Sequence, residues 1–86
     1  MSLRIMIANE IKSIYDFHEY AISKEKIIEL TDLFLEVMPE FTEYHIKDFI
    51  KRIRKGEYGI LYKMPTSIMV MLQQYKKEYG KPKFVQ

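Results

Sequence analysis

The segment 51–63, KRIRKGEYGILYK, combines positive charge with glycines and tyrosines. Four of its first five residues are lysine or arginine, and a G-x-Y-G-x-x-Y pattern follows them. Clustered cations can contact the phosphates of a nucleic acid, because each contact releases a condensed counterion. Tyrosines beside arginines can stack on exposed bases. These residue types predict polyanion binding, provided that the elements around them leave the charges accessible.

The cations belong to a helix that the sequence predicts over residues 43–55. Its apolar residues follow the i, i+3, i+4, i+7 spacing of one buried stripe: Ile46, Phe49, Ile50 and Ile53. Four cations fall on one side of the helix, away from this stripe: Lys47, Lys51, Arg54 and Lys55. Arg52 falls on the opposite flank. A core stripe on one side and a ridge of cations on the other is the arrangement that phosphate contact requires.

This pattern predicts nucleic-acid binding through five cations: Lys47, Lys51, Arg54, Lys55 and Lys63. A helix, a short turn at 39–42 and a basic helix also give the outline of a helix-turn-helix unit. The turn lacks the usual glycine, however, and residues 43–55 contain no Asn or Gln that could read bases. The alternative is a charged face that is only solvated, because cations in a last turn also complement the helix dipole.

The tyrosines and glycines of the segment favour a structural role. Tyr58 and Tyr62 flank apolar residues, and aromatic side chains in such a setting usually complete a core. Gly56 is expected to cap the preceding helix, and Gly59 to adopt a positive φ. The two glycines do not form a phosphate-binding loop, because no G-K-[ST] ending follows them.

The last predicted helix, 66–79, begins with residues that are apolar on every side. One side is a stripe formed by Ile68, Leu72, Tyr75 and Tyr79. The other sides are filled by Met69, Val70 and Met71. A helix that is apolar all round is either buried all round or has a partner. We therefore expect self-association through Met69, Val70 and Met71, with core filling as the alternative.

The sequence lacks the residue constellations of an enzyme. It contains no cysteine, which excludes a thiol nucleophile and a thiolate metal site. His18 and His45 do not have metal-pair spacing, and the serines lack the context of a catalytic triad. We expect no catalytic activity, no metal site, no cofactor and no small-molecule substrate.

The composition is that of one small globular domain spanning residues 1–86. Hydrophobic residues make up 48% of the chain and aromatic residues 14%, which argues against disorder. No apolar run approaches the ~18 residues of a membrane span, and the start of the chain does not resemble a signal peptide. The expected location is the cytoplasm, with no membrane partner.

The formal net charge of +2 conceals an uneven distribution. Residues 24–43 carry a net charge of −4, whereas residues 44–63 carry +4. Such asymmetry suggests an anionic partner for the basic part of the chain. The alternative is that the acidic and basic elements face each other, within the fold or between two protomers.

Start and stop signals divide the chain into four helices: 4–21, 24–38, 43–55 and 66–79. Ser23 and Thr42 are the predicted N-caps, Pro39 ends the second helix, and Gly80 ends the fourth. The wide apolar face of the second helix predicts a central position for it. The expected fold is an all-α, four-helix domain with an irregular connection at 56–64, for which a short hairpin is the alternative.

The stretch FIKRIRKGEYGILYK, followed by a short helix that ends in QQYKKEYG, carries a family resemblance over residues 30–79. It resembles a family of short uncharacterised proteins encoded by conjugative elements and phages of gut bacteria. The matching residues are Phe49, Gly56, Tyr58, Gly59, Tyr62 and Tyr75. The resemblance implies no known activity. A setting in mobile elements would favour a nucleic-acid or regulatory partner.

Overall fold

The computed structural model describes residues 2–79, which form an all-α domain. The helices in chain order are α1 (Leu3–Phe17), α2 (Lys24–Val37), α3 (Glu43–Arg54) and α4 (Pro65–Tyr79). No strand occurs in this part of the chain, so the predicted fold class is confirmed and the hairpin alternative at 56–64 is wrong. The predicted stop at Gly80 lies outside the described residues.

Side-chain caps determine where the first helices begin. The Ser2 hydroxyl oxygen accepts hydrogen bonds from the backbone N–H groups of Arg4 and Ile5, at 3.1 and 3.4 Å. The Ser23 hydroxyl accepts one from the N–H of Lys26 at 3.1 Å, as expected for an N-cap. Thr42 is also an N-cap, and α4 begins at Pro65, where a missing N–H has no helical cost.

The first helix ends four residues earlier than the sequence predicts, at Phe17 rather than at residue 21. Glu19 has a φ of 60°, in the left-handed region. Its N–H donates to the carbonyl of Asp16, and the N–H of Tyr20 donates to the carbonyl of Tyr15, both at 2.9 Å. This is the Schellman pattern of helix termination, in which the left-handed position is usually a glycine. Because a glutamate occupies that position, the sequence gives no indication that the helix ends there.

The third helix ends in the same pattern with the usual residue. Gly56 has a φ of 78°, and its N–H donates to the carbonyl of Ile53 at 3.0 Å. The N–H of Glu57 donates to the carbonyl of Arg52 at 3.1 Å. Gly59 has a φ of 89°, so the positive φ expected at both glycines is confirmed. At these two glycines the chain changes direction, leaves α3 and enters the connection at 56–64.

The helices pack around one core in the cyclic order α1, α2, α4, α3. α1 packs against α2 and α3, and α4 packs against the same two helices from the opposite side. α2 and α3 meet across the core through Phe34 and Phe49, whose ring centroids lie 5.8 Å apart. The whole predicted stripe of α3 is buried in this core: Ile46, Phe49, Ile50 and Ile53.

α2 is not the central helix, and that prediction is wrong. Leu30 and Phe34 are buried, but Ile28 is 46% exposed and Leu33 also reaches solvent. The apolar face of α2 is wider than the surface that α1 and α4 cover.

No helix within residues 2–79 is long and apolar enough to span a membrane.

The connection between α3 and α4 is fixed to the core although it has no regular structure. Leu61 is buried, and its carbonyl accepts a hydrogen bond from the Tyr20 hydroxyl at 2.9 Å. The N–H of Tyr62 donates to the Ser67 hydroxyl oxygen at 2.9 Å. Ile60 and Tyr62, on either side of Leu61, are exposed. The connection therefore holds two apolar side chains on the surface in a defined position.

We expect Glu19→Gly to stabilise the domain by about 0.5–1 kcal/mol. A left-handed conformation costs a residue with a Cβ about 1–2 kcal/mol, and the larger entropy of unfolded glycine offsets part of the gain. Gly56→Ala should lower stability by about 1 kcal/mol for the converse reason. A Cβ at Gly56 would meet nothing within 4 Å, so the effect would come from the backbone alone.

Urea unfolding of both variants measures these changes. A Glu19→Gly variant no more stable than the wild type, beside a destabilised Gly56→Ala variant, would show that Glu19 is not strained.

Candidate nucleic-acid interface

Four of the five predicted cations share one exposed face of α3, opposite its buried stripe. These four residues form the basic ridge: Lys47, Lys51, Arg54 and Lys55. Lys63 is exposed but lies in the connection after α3. It borders a separate surface depression together with Ile22, Ser23 and Lys26. Lys63 is therefore not part of the ridge, and any contact that it makes would be independent.

Few groups within the chain neutralise the ridge. The Lys47 ammonium lies 3.6 Å from a carboxylate oxygen of Glu43 on the same exposed helix face, a pair worth little in water. No carboxylate among residues 2–79 forms an ion pair with Lys51 or Lys55. The acidic side chains of α2 do not cover the ridge, because α2 and α3 lie on opposite sides of the core. The ridge is open to solvent within one protomer.

Arg54 connects the ridge to α1. Its guanidinium donates a hydrogen bond to the Ser13 hydroxyl oxygen. The guanidinium carbon also lies 5.8 Å from the ring centroid of Phe17, at cation–π distance. These contacts restrict the Arg54 side chain without removing its charge, and the side chain stays exposed.

Arg52 points away from the ridge, as predicted, and is surrounded by carboxylates. Its Nε lies 3.1 Å from an oxygen of Asp48, and its Nη1 lies 3.6 Å from Glu57 and 3.7 Å from Glu78. The guanidinium carbon lies 5.7 Å from the ring centroid of Tyr75. Arg52 therefore joins α3, the connection and α4, and its charge is offset by three carboxylates.

Tyr75 completes this polar cluster from α4. Its hydroxyl donates a hydrogen bond to Asp48 at 2.9 Å. Burial, followed by the nearby Asp48 carboxylate, raises the pKa of Tyr75 above its usual range. Burial also raises the pKa of Tyr58 to about 12. The Asp48–Arg52 pair could have been read from its i, i+4 spacing, but the contact with Tyr75 spans 27 residues and has no local signal.

The G-x-Y-G-x-x-Y tyrosines have separate environments. Tyr58 packs on Phe49 at a centroid distance of 5.9 Å and is partly buried, as the structural interpretation expects. Tyr62 is exposed and does not belong to the core. Tyr44, for which the sequence gives no signal, is 71% exposed, more than any other aromatic side chain whose burial the structure describes.

The helix-turn-helix outline expected from the sequence is not the arrangement that α2 and α3 adopt. In a helix-turn-helix unit the two helices pack against each other across their turn. Here each packs against α1 and α4 instead, and the two touch through Phe34 and Phe49. α3 presents its ridge to solvent, and α2 does not pack alongside it as the first helix of a helix-turn-helix unit would.

The three predicted self-association residues do not share a surface. Met71 is only 4% exposed and belongs to the core, and Met69 is partly buried against it. Val70 is 65% exposed. Val70 instead borders a surface groove of about 540 Å³ with Ile60, Tyr62 and Met64, all of which are exposed. These four residues define the apolar groove, so the candidate surface includes Val70 but not Met71.

No group of three or more metal-ligating side chains occurs within residues 2–79. Comparison of the chain with known protein families, with curated proteins and with solved structures returned no match. The interpretation of the site therefore depends on its own geometry and charge.

We expect the raised pKa values of Tyr58 and Tyr75 to make the stability of the fold decrease at alkaline pH. An unfolded tyrosine ionises near its usual pKa of about 10, whereas native Tyr58 and Tyr75 stay neutral to higher pH. The unfolded state thus loses protons first, and stability falls as the pH rises above about 10. Below that pH the contribution of these groups is complete.

Urea unfolding at pH 8 and pH 11 measures this loss in the wild type and in Tyr75→Phe. The variant should be less stable at pH 8, because it lacks the hydrogen bond to Asp48, and should lose less stability on going to pH 11. Since the two proteins differ only in the Tyr75 hydroxyl, the difference between their losses isolates that group. An identical loss in both would contradict the expectation.

Proposed function

We propose that this protein binds nucleic acid in the cytoplasm and contacts phosphates through the basic ridge. The observation that carries the proposal is the isolation of the ridge: Lys51 and Lys55 have no ion-pair partner among residues 2–79. A solvated face of alternating charge would show more pairs of this kind. The resemblance to proteins of mobile elements supports the same proposal. The activity proposed is binding rather than catalysis.

The expected binding mode is electrostatic and independent of sequence. Four ridge cations on phosphates would give a log–log salt dependence with a slope of about −3 to −4. α3 carries no Asn or Gln to read adenine, Arg52 is held by carboxylates, and the ridge cations are assigned to phosphates in this binding mode. The proposed role is therefore that of an accessory protein that coats or tethers nucleic acid.

Charge reversal on the ridge tests the proposal. Lys51→Glu should weaken binding at least tenfold at low salt, because it removes a phosphate contact and adds repulsion, and the slope should fall by about 1. Lys24→Glu is the matched control, since it makes the same charge change at an exposed position on α2. Fluorescence anisotropy with labelled duplex DNA, single-stranded DNA and RNA measures both variants.

Equal losses in Lys51→Glu and Lys24→Glu would attribute binding to net charge and not to the ridge. A wild type that binds none of the three probes at low salt would refute the proposed function.

The apolar groove supports a second candidate function, self-association. Four large apolar side chains border one groove instead of being scattered singly, and a contiguous apolar patch of this kind is often an interaction site. Side chains of this size expose on the order of 130 Å² each here, so a two-fold contact between two grooves would bury roughly 1,000 Å², the lower limit of a specific interface. A symmetric dimer uses the same patch on both protomers, so a second copy of this chain is the occupant that we propose.

Val70→Glu should then produce a folded monomer, because the carboxylate would have to be buried in the dimer without a partner. Ile5→Glu is the matched control: Ile5 is an exposed apolar residue on α1, outside the groove. Met71→Glu cannot serve as the test, because a charge at that buried position would disrupt the core. Sedimentation velocity over a range of concentrations provides the measurement.

If the wild type sediments as a monomer at its highest soluble concentration, the groove is not a self-association surface. If Val70→Glu and Ile5→Glu dissociate the dimer equally, the contact lies elsewhere.

A further inference from the structure

An aromatic side chain stands on the basic ridge itself. Tyr44, the second residue of α3, is 71% exposed. Lys47, Lys51 and Lys55 follow it at i+3, i+7 and i+11, which places all four side chains along one line of the helix surface. The line begins with an aromatic ring and continues with cations that have few partners in the chain.

The Tyr44 ring packs against His45, which is itself packed on the core. It contacts His45 with a centroid distance of 5.6 Å and an interplanar angle of 75°. His45 stacks on the buried Phe41 ring at 5.7 Å, and its Nδ1 lies 3.1 Å from the backbone nitrogen of Thr42, which donates to it. These contacts limit the motion of Tyr44, while its exposure leaves most of the ring open.

A second exposed aromatic ring lies near the other end of the ridge. Phe17 is 58% exposed and lies under the guanidinium of Arg54. Tyr44 and Arg54 are ten residues apart on α3, or about 15 Å along its axis. Nucleotides in a stacked strand are about 3.4 Å apart, so this distance corresponds to about four of them.

We infer that the ligand of the basic ridge is single-stranded nucleic acid, with a base stacked on Tyr44 and the adjoining phosphates on Lys47 and Lys51. This inference rests on the proposed function and adds the strand state of the ligand. In a duplex the faces of the bases are covered by their neighbours, so an exposed tyrosine has nothing to stack on. In a single strand every base offers a face, and an aromatic ring beside a cationic groove is the usual means of binding it.

The arrangement of the helices favours the same ligand. In a helix-turn-helix unit the first helix crosses the DNA backbone beside the recognition helix, and Asn or Gln side chains read adenine in the major groove. α3 has no Asn or Gln, and α2 lies on the far side of the core. Stacking needs neither, since it does not depend on the identity of the base.

The test compares three probes of equal length: oligo-dT, oligo-U and duplex DNA. Tyr44→Ala should weaken binding to both single strands about 5- to 100-fold, the usual range for loss of one stacked base, and change duplex binding less than twofold. Tyr44→Phe should bind as the wild type does, because it keeps the ring. Ile5→Ala is the control, since it removes an exposed apolar side chain on α1, outside both the ridge and the apolar groove. The two single-stranded probes separate DNA from RNA as the source of the strand.

The salt dependence distinguishes stacking from a lost phosphate contact. Tyr44→Ala should leave the log–log slope unchanged, whereas Lys51→Glu should lower it. If Tyr44→Ala binds single strands as tightly as the wild type while Lys51→Glu does not, the stacking inference is overturned and the proposed function stands. A wild type that binds only duplex also overturns the inference. A wild type that binds no probe overturns both.

Discussion

Burial of the apolar stripe of α3 determines where every cation of that helix lies. Ile46, Phe49, Ile50 and Ile53 are all in the core, and Phe49 meets Phe34 from across it. Because a helix rotates by a constant angle per residue, fixing one face fixes the others. The basic ridge is thus a direct consequence of core packing. Its cations remain exposed because α1 and α4, the helices that pack against α3, leave this face uncovered.

The periodic features of this fold could be predicted from the sequence, and the singular ones could not. The stripe of α3, its ridge and the N-cap at Ser23 follow from residue spacing and type, and all three are present. The end of α1 carries no sequence signal because its left-handed residue is Glu19 and not glycine. A local sequence pattern predicts the end of a helix only where the left-handed position holds a residue type typical of it, usually glycine.

The candidate surfaces also depend on features that the sequence alone does not predict. Residues 69–71 are consecutive apolar residues, and the sequence does not show which of them faces the core; the structure buries Met71 and exposes Val70. The groove around Val70 depends on where Leu61 anchors the connection, which is a tertiary fact. Tyr44 gave no signal because one aromatic residue on a polar helix face forms no pattern. The hydrogen bond of Tyr75 to Asp48 depends on how α3 and α4 pack.

The anchoring of Leu61 also has a consequence for local unfolding. Two hydrogen bonds hold the segment that carries Ile60 and Tyr62, one from the Tyr20 hydroxyl and one to Ser67. Because the segment has no helical ladder, its position depends on these two hydrogen bonds and on the buried Leu61 side chain. The amide of Tyr62 should therefore exchange its proton in the same opening event that exposes Leu61. The groove would then be lost in one cooperative opening of the segment. The rate of proteolysis at this segment would report the population of that open state.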